Sequence, residues 1–304
     1  MRLGIIGLGR MGGNMARRLR RGGIEVVGYN RDVTVTSKLA DECELIPAES
    51  AEHLVSQLEE PRLVWLMLPA GEVTESYIEQ MKDLLVTGDI LVDGANSYFK
   101  ESMCRGQDLA ALEIHFVDAG VSGGIWGLEK GYALMVGGSQ EALSKVKPVL
   151  EVLAPAPDRG WLHTGPVGSG HFVKMIHNGI EYGMMQAYAE GFALMQARDD
   201  FGLDLAEIAE TWRHGSVVRS WLLDLTAQFL DEDQELANIE PFVADSGEGR
   251  WTAIEAIEQG IPTPVMSTAL MMRFASQGQQ DYTAKLLAMM RKGFGGHALK
   301  QSDR

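Results

Sequence analysis

The feature that most constrains the fold of this chain is a glycine-rich turn close to its N-terminus. A short apolar run, Leu3 to Ile6, leads into Gly7-Leu8-Gly9-Arg10-Met11-Gly12, and Asn14 to Arg21 can continue as a helix. This order of strand, glycine turn and helix is typical of a dinucleotide-binding fingerprint. Gly7 would permit the tight turn, Gly9 would let the backbone approach a pyrophosphate, and Gly12 would let the helix pack closely on the strand. The alternative is a merely structural glycine turn.

The second predicted strand, Glu25 to Tyr29, ends in Asn30-Arg31-Asp32, which we assign to the cofactor site. Asp32 lies 20 residues beyond Gly12, about the spacing at which an acidic side chain meets the adenosine ribose hydroxyls. A carboxylate there would repel a 2′-phosphate, which favours NAD over NADP. Arg31 could instead serve a 2′-phosphate, so NADP stays possible. Asp32 could also simply cap the following helix.

Apolar runs alternate with helical stretches through the rest of the first half. The predicted strands are Leu63 to Leu68, Ile90 to Val92, Ile114 to Val117 and Tyr132 to Val136, and the clearest helices are Val73 to Leu85 and Tyr98 to Leu112. Such alternation predicts a mainly parallel sheet with helices on both faces, and ligands beyond the carboxyl ends of its strands. Leu68 and Pro69, at the end of one run, are therefore further candidates for cofactor binding.

Two other strand ends carry polar turns. Asp93-Gly94-Ala95-Asn96-Ser97 follows one apolar run, and Gly120-Val121-Ser122-Gly123-Gly124 follows another. The second motif offers a hydroxyl and closely spaced backbone N–H groups, which suit a carboxylate or phosphate oxygen. Ordinary turn chemistry is the alternative for both motifs, because Asn, Asp, Ser and Gly are common in loops.

The character of the chain changes after Pro155-Ala156-Pro157 and a short stretch at Trp161 to Thr164. Strand-like runs disappear, and Ala, Leu, Met, Glu and Gln recur at helical spacing. The sequence therefore predicts an α/β Rossmann-type dinucleotide-binding domain over residues 1–165, followed by an all-α domain over residues 166–304. Besides a helix that begins near His171, helices are predicted at Ala206 to Arg213, Trp251 to Glu258, Pro264 to Ser276 and Tyr282 to Lys292.

Charge and cysteine content limit the possible partners and location. The 27 basic residues are outnumbered by 42 acidic ones, giving a net charge of -15, and they form no long basic run, which argues against a nucleic-acid partner. No apolar run is long enough to cross a bilayer. Cys43 and Cys104 match no metal-ligand pattern and suit a reducing compartment. We therefore expect a cytoplasmic protein with a small-molecule substrate.

The stretch from Gly168 to Gln186, GSGHFVKMIHNGIEYGMMQ, is predicted to form a helix with an unusual polar face. At about 100° per residue, one face carries five different hydrogen-bonding groups, those of Lys174, His177, Asn178, Glu181 and Tyr182. Apolar side chains lie on the far side. A solvated face is the alternative, but solvated faces are usually built from Lys, Glu, Gln and Arg, so the variety favours a lined pocket. His171 and His177 lie on opposite faces, which argues against a metal site.

With these motifs assembled, the chain resembles the 6-phosphogluconate dehydrogenase family, in particular its shorter members. The resemblance covers nearly the whole chain: GLGRMG with NRD, DGANS, GVSGG, GHFVKMIHNGIEYGMMQ and the ending RKGFGGH. Related beta-hydroxyacid dehydrogenases share the lysine and asparagine of the long motif but not the His, Glu and Tyr around them. The resemblance implies oxidative decarboxylation of 6-phosphogluconate to ribulose 5-phosphate and carbon dioxide, without a metal.

The resemblance also implies roles for individual residues. Lys174 corresponds to the general base and Glu181 to the general acid. The positions matching the substrate site are Asn96, Ser122, Gly123, Gly124, His177, Asn178 and Tyr182, and those around the phosphate are Arg273, Arg291 and His297. Because the C-terminal Arg and His of family members reach a neighbouring subunit, a homodimer or homotetramer is implied. Arg291 could alternatively serve only the last turn of a helix that Gly293 ends.

The chain departs from the family's longer members at several positions. Ser246 and Glu248 stand where those carry a lysine and a threonine near the phosphate, Ala95 replaces a glycine, and Asp32 replaces a threonine. Two alternative functions remain: a beta-hydroxyacid dehydrogenase acting on an unphosphorylated 3-hydroxy acid, and a non-catalytic dinucleotide-sensing protein. A sensor has no need for the acid and base pair of Lys174 and Glu181.

Overall fold

The predicted alternation of strands and helices forms a single eight-stranded sheet in the first half of the chain. The structure, a computed structural model, describes residues 1–278 and 281–295. It divides into two compact units, Met1–His177 and Asn178–Arg304. Within residues 1–278 and 281–295, no helix is both long and apolar enough to cross a bilayer.

The sheet has the strand order β3-β2-β1-β4-β5-β6-β7-β8. Neighbouring strands are parallel throughout, except that β6 and β7 are antiparallel. β2 and β3 lie on one side of β1, and β4 and β5 lie on the other, so the strand order changes direction at β1. In sheets of this topology the ligand lies beyond the carboxyl ends of the two strands at this point, here β1 and β4. The strands are β1 (Arg2–Ile6), β2 (Glu25–Tyr29), β3 (Ile46–Pro47), β4 (Leu63–Leu66), β5 (Ile90–Asp93), β6 (His115–Ser122), β7 (Ala133–Gly137) and β8 (Trp161–Gly165).

Helices cover both faces of this sheet, because its central strands are apolar on both sides. One buried cluster includes Leu3, Trp65 and Leu150, and the other includes Val64 and Ile78 on the opposite face. The helices are α1 (Arg10–Arg21), α2 (Val33–Cys43), α3 (Ala51–Ser56), α4 (Glu72–Leu84), α5 (Phe99–Ala110), α6 (Gly127–Lys130) and α7 (Gln140–Leu153). The predicted Rossmann-type α/β architecture is confirmed.

The second half is helical, as predicted. The long helix α8 (Ser169–Gln196) begins in the first unit and continues into the second. It is followed by α9 (Leu205–Arg213), α10 (Trp221–Glu232), α11 (Glu248–Gln259), α12 (Pro264–Ser276) and α13 (Asp281–Gly295). A small apolar cluster that includes Phe192, Leu205 and Leu223 holds α8, α9 and α10 together.

Several boundaries differ from the prediction for identifiable reasons. Helix α1 begins at Arg10 rather than Asn14, because Gly12 and Gly13 adopt helical geometry, whereas the N-cap Gly9 is extended. Helix α13 runs on to Gly295 instead of ending before Gly293. Strand β6 continues to Ser122, so residues 120–122 belong to a strand and not to the predicted turn. They pair with Ala133–Met135 of β7, a partner that the sequence pattern alone does not reveal.

Candidate active site

The glycine turn between β1 and α1 has the geometry that a dinucleotide requires. Gly7 has φ +95°, in the region that favours glycine. A methyl group at Gly12 would overlap the carbonyl oxygen of Gly7, so the helix packs on the turn as closely as glycine allows. At Gly9, by contrast, an added methyl would meet nothing within 4 Å. The turn therefore leaves open space at Gly9, beside the first N–H groups of α1, where a pyrophosphate can approach.

Asn30 ties this turn to the end of β2. Its side-chain oxygen accepts a hydrogen bond from the backbone N–H of Leu8 at 3.1 Å, and its amide nitrogen donates to the Asp32 carbonyl at 3.2 Å. Tyr29 O also accepts the N–H of Gly7 at 2.9 Å. The sequence assigns Asn30 to the cofactor site without a mechanism. The structure shows that it holds the backbone of the glycine turn in place.

Asp32 is the N-cap of α2, which confirms the capping alternative. Its Oδ1 accepts from the Thr34 backbone N–H at 3.0 Å and from the Thr34 hydroxyl at 2.6 Å. The hydroxyl bond, followed by the backbone bond, lowers the pKa of Asp32 below its ordinary value. The exposed carboxylate is therefore ionised at neutral pH. Capping and ribose binding are compatible, and the ribose role stays a prediction.

The remaining cofactor candidates lie around the same strand ends. The Leu68 side chain packs beside Gly7, and the Pro69 carbonyl accepts the Thr74 hydroxyl of α4 at 2.8 Å. Arg10 and Arg31 are exposed, while Met11 is half-buried against the core.

Replacing Gly9 with alanine provides a direct test of the cofactor site. Because the added methyl has open space, the variant should fold normally and still occupy the volume that a pyrophosphate needs. We expect the Kd for NAD, measured by isothermal titration calorimetry, to rise about tenfold. Gly191→Ala on α8, which also meets nothing within 4 Å, is the matched control. Unchanged NAD affinity in Gly9→Ala would contradict the assignment of this turn.

The turn that carries Asn96 is organised by Asp93, a residue for which sequence analysis proposes no role. The fully buried Asp93 carboxylate accepts from the Ala95 N–H at 3.0 Å, the Ser97 hydroxyl at 2.9 Å and the Arg105 guanidinium at 3.3 Å. Asn96 itself is exposed beyond the end of β5. An acidic residue that closes an apolar strand is the sequence signal that could have identified Asp93.

The second polar motif, Ser122 to Gly124, lies at the end of β6. The Ser122 hydroxyl is 3.5 Å from His177 Nε2, which brings two predicted substrate-binding residues together. Gly123 and Gly124 have φ +136° and +51°. Upstream, a methyl group at Gly120 would overlap the Lys174 side chain, so this glycine lets the stem of Lys174 lie directly on β6.

Helix α8 buries its polar face, which contradicts the alternative of a solvated stripe. Lys174, Asn178 and Tyr182 are only 8%, 7% and 9% exposed, whereas the apolar Val173 and Ile180 are 37% and 53% exposed. Burial of amine, amide and phenol groups is unfavourable unless they have hydrogen-bond or electrostatic partners. Lys174, Asn178 and Tyr182 are thus buried rather than solvated. That they line a binding site stays a prediction.

In the second unit, Glu248 gathers two predicted site residues. It is 3% exposed and accepts hydrogen bonds from the Ser246 hydroxyl at 2.6 Å, the Tyr182 hydroxyl at 3.3 Å and the Asn178 amide at 3.4 Å. Burial raises the pKa of Tyr182, so its hydroxyl remains a donor at neutral pH. The Glu248 carboxylate thus fixes the orientation of the Asn178 and Tyr182 side chains.

The three basic residues predicted around a phosphate do not share one environment in the structure. The Arg273 guanidinium stacks on the Tyr182 ring, 3.7 Å from its centroid, and donates to the Ala244 carbonyl at 2.8 Å. Arg291 is exposed on α13. His297 lies outside the described residues. Across the part of the chain that the structure describes, no three His, Cys, Asp or Glu side chains come together as a metal-binding group.

The parallel sheet and the glycine turn define the chain as a Rossmann-type dinucleotide-binding protein. The family model described as "NAD binding domain of 6-phosphogluconate dehydrogenase" matches residues 2–164. The model described as "6-phosphogluconate dehydrogenase, C-terminal domain" matches residues 170–303. The chain belongs to the 6-phosphogluconate dehydrogenase family.

Individual relatives agree with this membership. The chain is 41% identical over 304 residues to the NAD(+)-dependent, decarboxylating 6-phosphogluconate dehydrogenase of Haloferax volcanii, covering 100% of both chains. It is 36% identical to the decarboxylating 6-phosphogluconate dehydrogenase of Staphylococcus aureus, over 92% of this chain and 62% of that protein. The solved 6-phosphogluconate dehydrogenase of Plasmodium falciparum superposes with a TM-score of 0.83 at 29% identity, over 100% of this chain and 67% of that one.

Proposed function

We propose that this protein oxidises and decarboxylates 6-phosphogluconate to ribulose 5-phosphate and carbon dioxide, with NAD as the hydride acceptor. The observation that carries the proposal is the buried polar face of α8, on which Lys174 is 8% exposed. A general base and a general acid on one helix suit a reaction that removes one proton and later adds another. Family membership and the full-length NAD(+)-dependent relative support this choice of reaction.

The glycine turn of β1 and α1 fits the dinucleotide. Gly9 and the start of α1 would hold its pyrophosphate, and Asp32 would accept hydrogen bonds from the adenosine ribose. When bound, NAD supplies an acceptor for the hydride that leaves C3 of the sugar acid. Asn30 contributes by holding the turn in its binding conformation.

Lys174 begins the reaction in this proposal. Its neutral amine removes the proton of the C3 hydroxyl, the O–H electrons form the C3 carbonyl, and the hydride departs from C3. The resulting 3-keto acid loses its carboxyl group as carbon dioxide, and the electrons of the broken C–C bond move toward the C3 carbonyl oxygen. The Lys174 ammonium formed in the first step stabilises that oxygen by donating a proton to it. An enediol remains in the site.

Glu181 completes the reaction by protonating C1 of the enediol while the proton of the C2 hydroxyl returns to the neutral Lys174 amine, which yields the ketose. It is half-buried on α8, seven residues after Lys174, about 10.5 Å along a helix axis. The carbon that becomes C1 is bonded to C3 of the sugar acid, so the two side chains must reach toward each other and converge on neighbouring atoms of the substrate. His177, Asn178 and Tyr182 would bind its hydroxyl and carboxylate groups.

The proposal also covers how the substrate phosphate is bound and how many subunits the protein has. Arg273, Arg291 and His297 would surround the phosphate, with the last two reaching the site of a neighbouring subunit. This arrangement requires a homodimer or homotetramer, which is supported by exposed apolar side chains on the helices of the second unit, such as Ile257 and Val265. We place the start of the substrate domain at residue 166 and the protein in the cytoplasm.

Initial-rate measurements test the proposal directly. The purified protein should reduce NAD with 6-phosphogluconate and release one carbon dioxide for each NADH. Unphosphorylated gluconate should be a much poorer substrate. NADH production without carbon dioxide, or equal rates with gluconate and 6-phosphogluconate, would contradict the assigned reaction.

The proposed NAD preference has its own test in Asp32→Asn. Asparagine caps helices as well as aspartate does, so α2 should be preserved while the negative charge is removed. We expect the KM for NADP to fall about tenfold and the KM for NAD to change little. Thr34→Val removes the hydroxyl donor to Asp32 and leaves its charge, which makes it a control. A wild-type preference for NADP would refute the role of Asp32.

A further inference from the structure

A carboxylate in the middle of β6 takes no part in the proposed chemistry and yet is fully buried. Asp118 uses both oxygens on the start of α8: Oδ1 accepts from the Gly168 N–H at 2.7 Å and Oδ2 from the His171 N–H at 2.8 Å. Leaving such a carboxylate buried without these bonds would be strongly unfavourable. The two bonds fix the strand and the helix start to each other.

The bonds of Asp118 replace a local helix cap. In a capping box, the N-cap side chain binds the N–H three residues on, and that residue's side chain binds the N-cap N–H. Helix α8 begins at Ser169, so Gly168 occupies the cap position and has no side chain to contribute. Asp118 supplies both acceptors, and it precedes their two donors by 50 and 53 residues in the sequence. Its negative charge also interacts favourably with the positive end of the helix dipole.

Two glycines, Gly120 of β6 and Gly170 of α8, allow the helix and the strand to pack in close contact. A methyl group at Gly170 would overlap the Asp118 carbonyl oxygen of β6 and would lie 2.6 Å from the Met135 carbonyl oxygen of β7. A methyl group at Gly120 would overlap the Lys174 stem. The first turns of α8 therefore lie directly on the β6–β7 pair, and Lys174 is six residues beyond the Asp118-bound cap.

We infer that Asp118 is a positioning residue for Lys174. By fixing the start of α8 on β6, it sets the place of the Lys174 amine relative to Ser122, the end of the same strand. Asp118 contacts no reacting atom, so its effect is on geometry alone. The inference rests on the proposed role of Lys174 as the base. A displacement of about 1 Å in a reacting group can reduce a rate by up to about 10²-fold.

The test is Asp118→Asn, which keeps the shape of the side chain but directs an amide donor at one of the two N–H groups. We expect kcat with 6-phosphogluconate to fall at least about tenfold, with the Kd for NAD within about twofold of wild type. Ser139→Ala is the control, because Ser139 caps α7, which carries none of the site residues. A folded Asp118→Asn protein with a kcat within about twofold of wild type would overturn the inference.

A second measurement does not depend on turnover. Reductive methylation by formaldehyde and a borohydride, quantified for each lysine by peptide mass spectrometry, reports the accessibility of the Lys174 amine. In Asp118→Asn, Lys174 should react at least about threefold faster relative to exposed Lys38 than in wild type. An unchanged relative rate would overturn the inference even if kcat fell. Should Asp118→Asn fail to fold, Gly170→Ala displaces the same helix start and should give the same two results.

The two proposals can fail separately. A wild-type protein without activity on 6-phosphogluconate would remove the proposed function, while the labelling comparison would still report whether Asp118 positions Lys174. Conversely, wild-type turnover together with unchanged labelling and kcat in Asp118→Asn would leave the function intact and remove the positioning role.

Discussion

Replacing Lys174 with methionine is expected to lower kcat by at least about 10³-fold, because general acid–base groups contribute about 10²–10⁴-fold and Lys174 acts in more than one step. It removes the C3 hydroxyl proton and then stabilises the oxygen on which charge develops during decarboxylation. Methionine has a similar length and no charge, so it can fill the buried position on α8. The Kd for NAD should remain near the wild-type value, because the glycine turn of β1 and α1 is untouched.

The measurement combines steady-state kinetics with calorimetric titration of NAD. Lys38→Met is the matched control, because Lys38 is an exposed residue of α2 and should tolerate the same change with full activity. More than about a tenth of the wild-type kcat in a folded Lys174→Met protein would remove Lys174 as the base.

Local sequence patterns predicted the parts of the fold whose causes are local. The strand, glycine turn and helix at residues 2–21 follow from hydrophobicity and backbone freedom, and the structure places them as expected. The polar face of α8 also follows from helical periodicity. Its burial could be argued only indirectly, from the variety of its polar residues. Burial is decided by what packs against a helix, and periodicity contains no information about that.

The residues that hold the site residues in place, Asp118 and Glu248, could not be predicted for the same reason. Asp118 binds the Gly168 N–H before a helix, 50 residues later in the chain, and Glu248 orients Tyr182 from 66 residues away. Each residue looks ordinary in its own stretch, as an acid within a strand or near a turn. Their importance arises from pairings in the folded chain, where each satisfies buried donors. The roles of buried acidic residues that accept several backbone or hydroxyl hydrogen bonds therefore become visible only in the folded structure.

Asp32 shows a different limit to prediction from sequence, because two roles for one side chain can both be correct. The sequence allowed both a ribose ligand and a helix cap, and the structure shows the cap. An ionised carboxylate can accept about four hydrogen bonds. The Asp32 carboxylate can therefore cap α2 and bind a ribose at the same time. Evidence for one role is therefore no argument against the other. Only the charge-specific comparison of NAD and NADP in Asp32→Asn separates them.

Glu181→Gln is expected to separate the two halves of the reaction. Glutamine keeps the size of the side chain but cannot deliver a proton to C1 of the enediol, so steady-state turnover should fall about 10²-fold. Hydride transfer precedes this step and depends on Lys174. A stopped-flow measurement should therefore show a rapid burst approaching one NADH per chain, followed by slow turnover. Lys174→Met should show no burst, because its defect lies in the earlier step.

Glu190→Gln is the appropriate control for this experiment, because Glu190 is an exposed residue of the same helix that accepts a hydrogen bond from Gln186 at 2.8 Å. It should show wild-type kinetics. If Glu181→Gln lost the burst together with steady-state activity, Glu181 would be required before or during hydride transfer, and its assignment as the final acid would be wrong. A burst that survives in Glu181→Gln and disappears in Lys174→Met would assign the two groups on α8 to successive proton transfers.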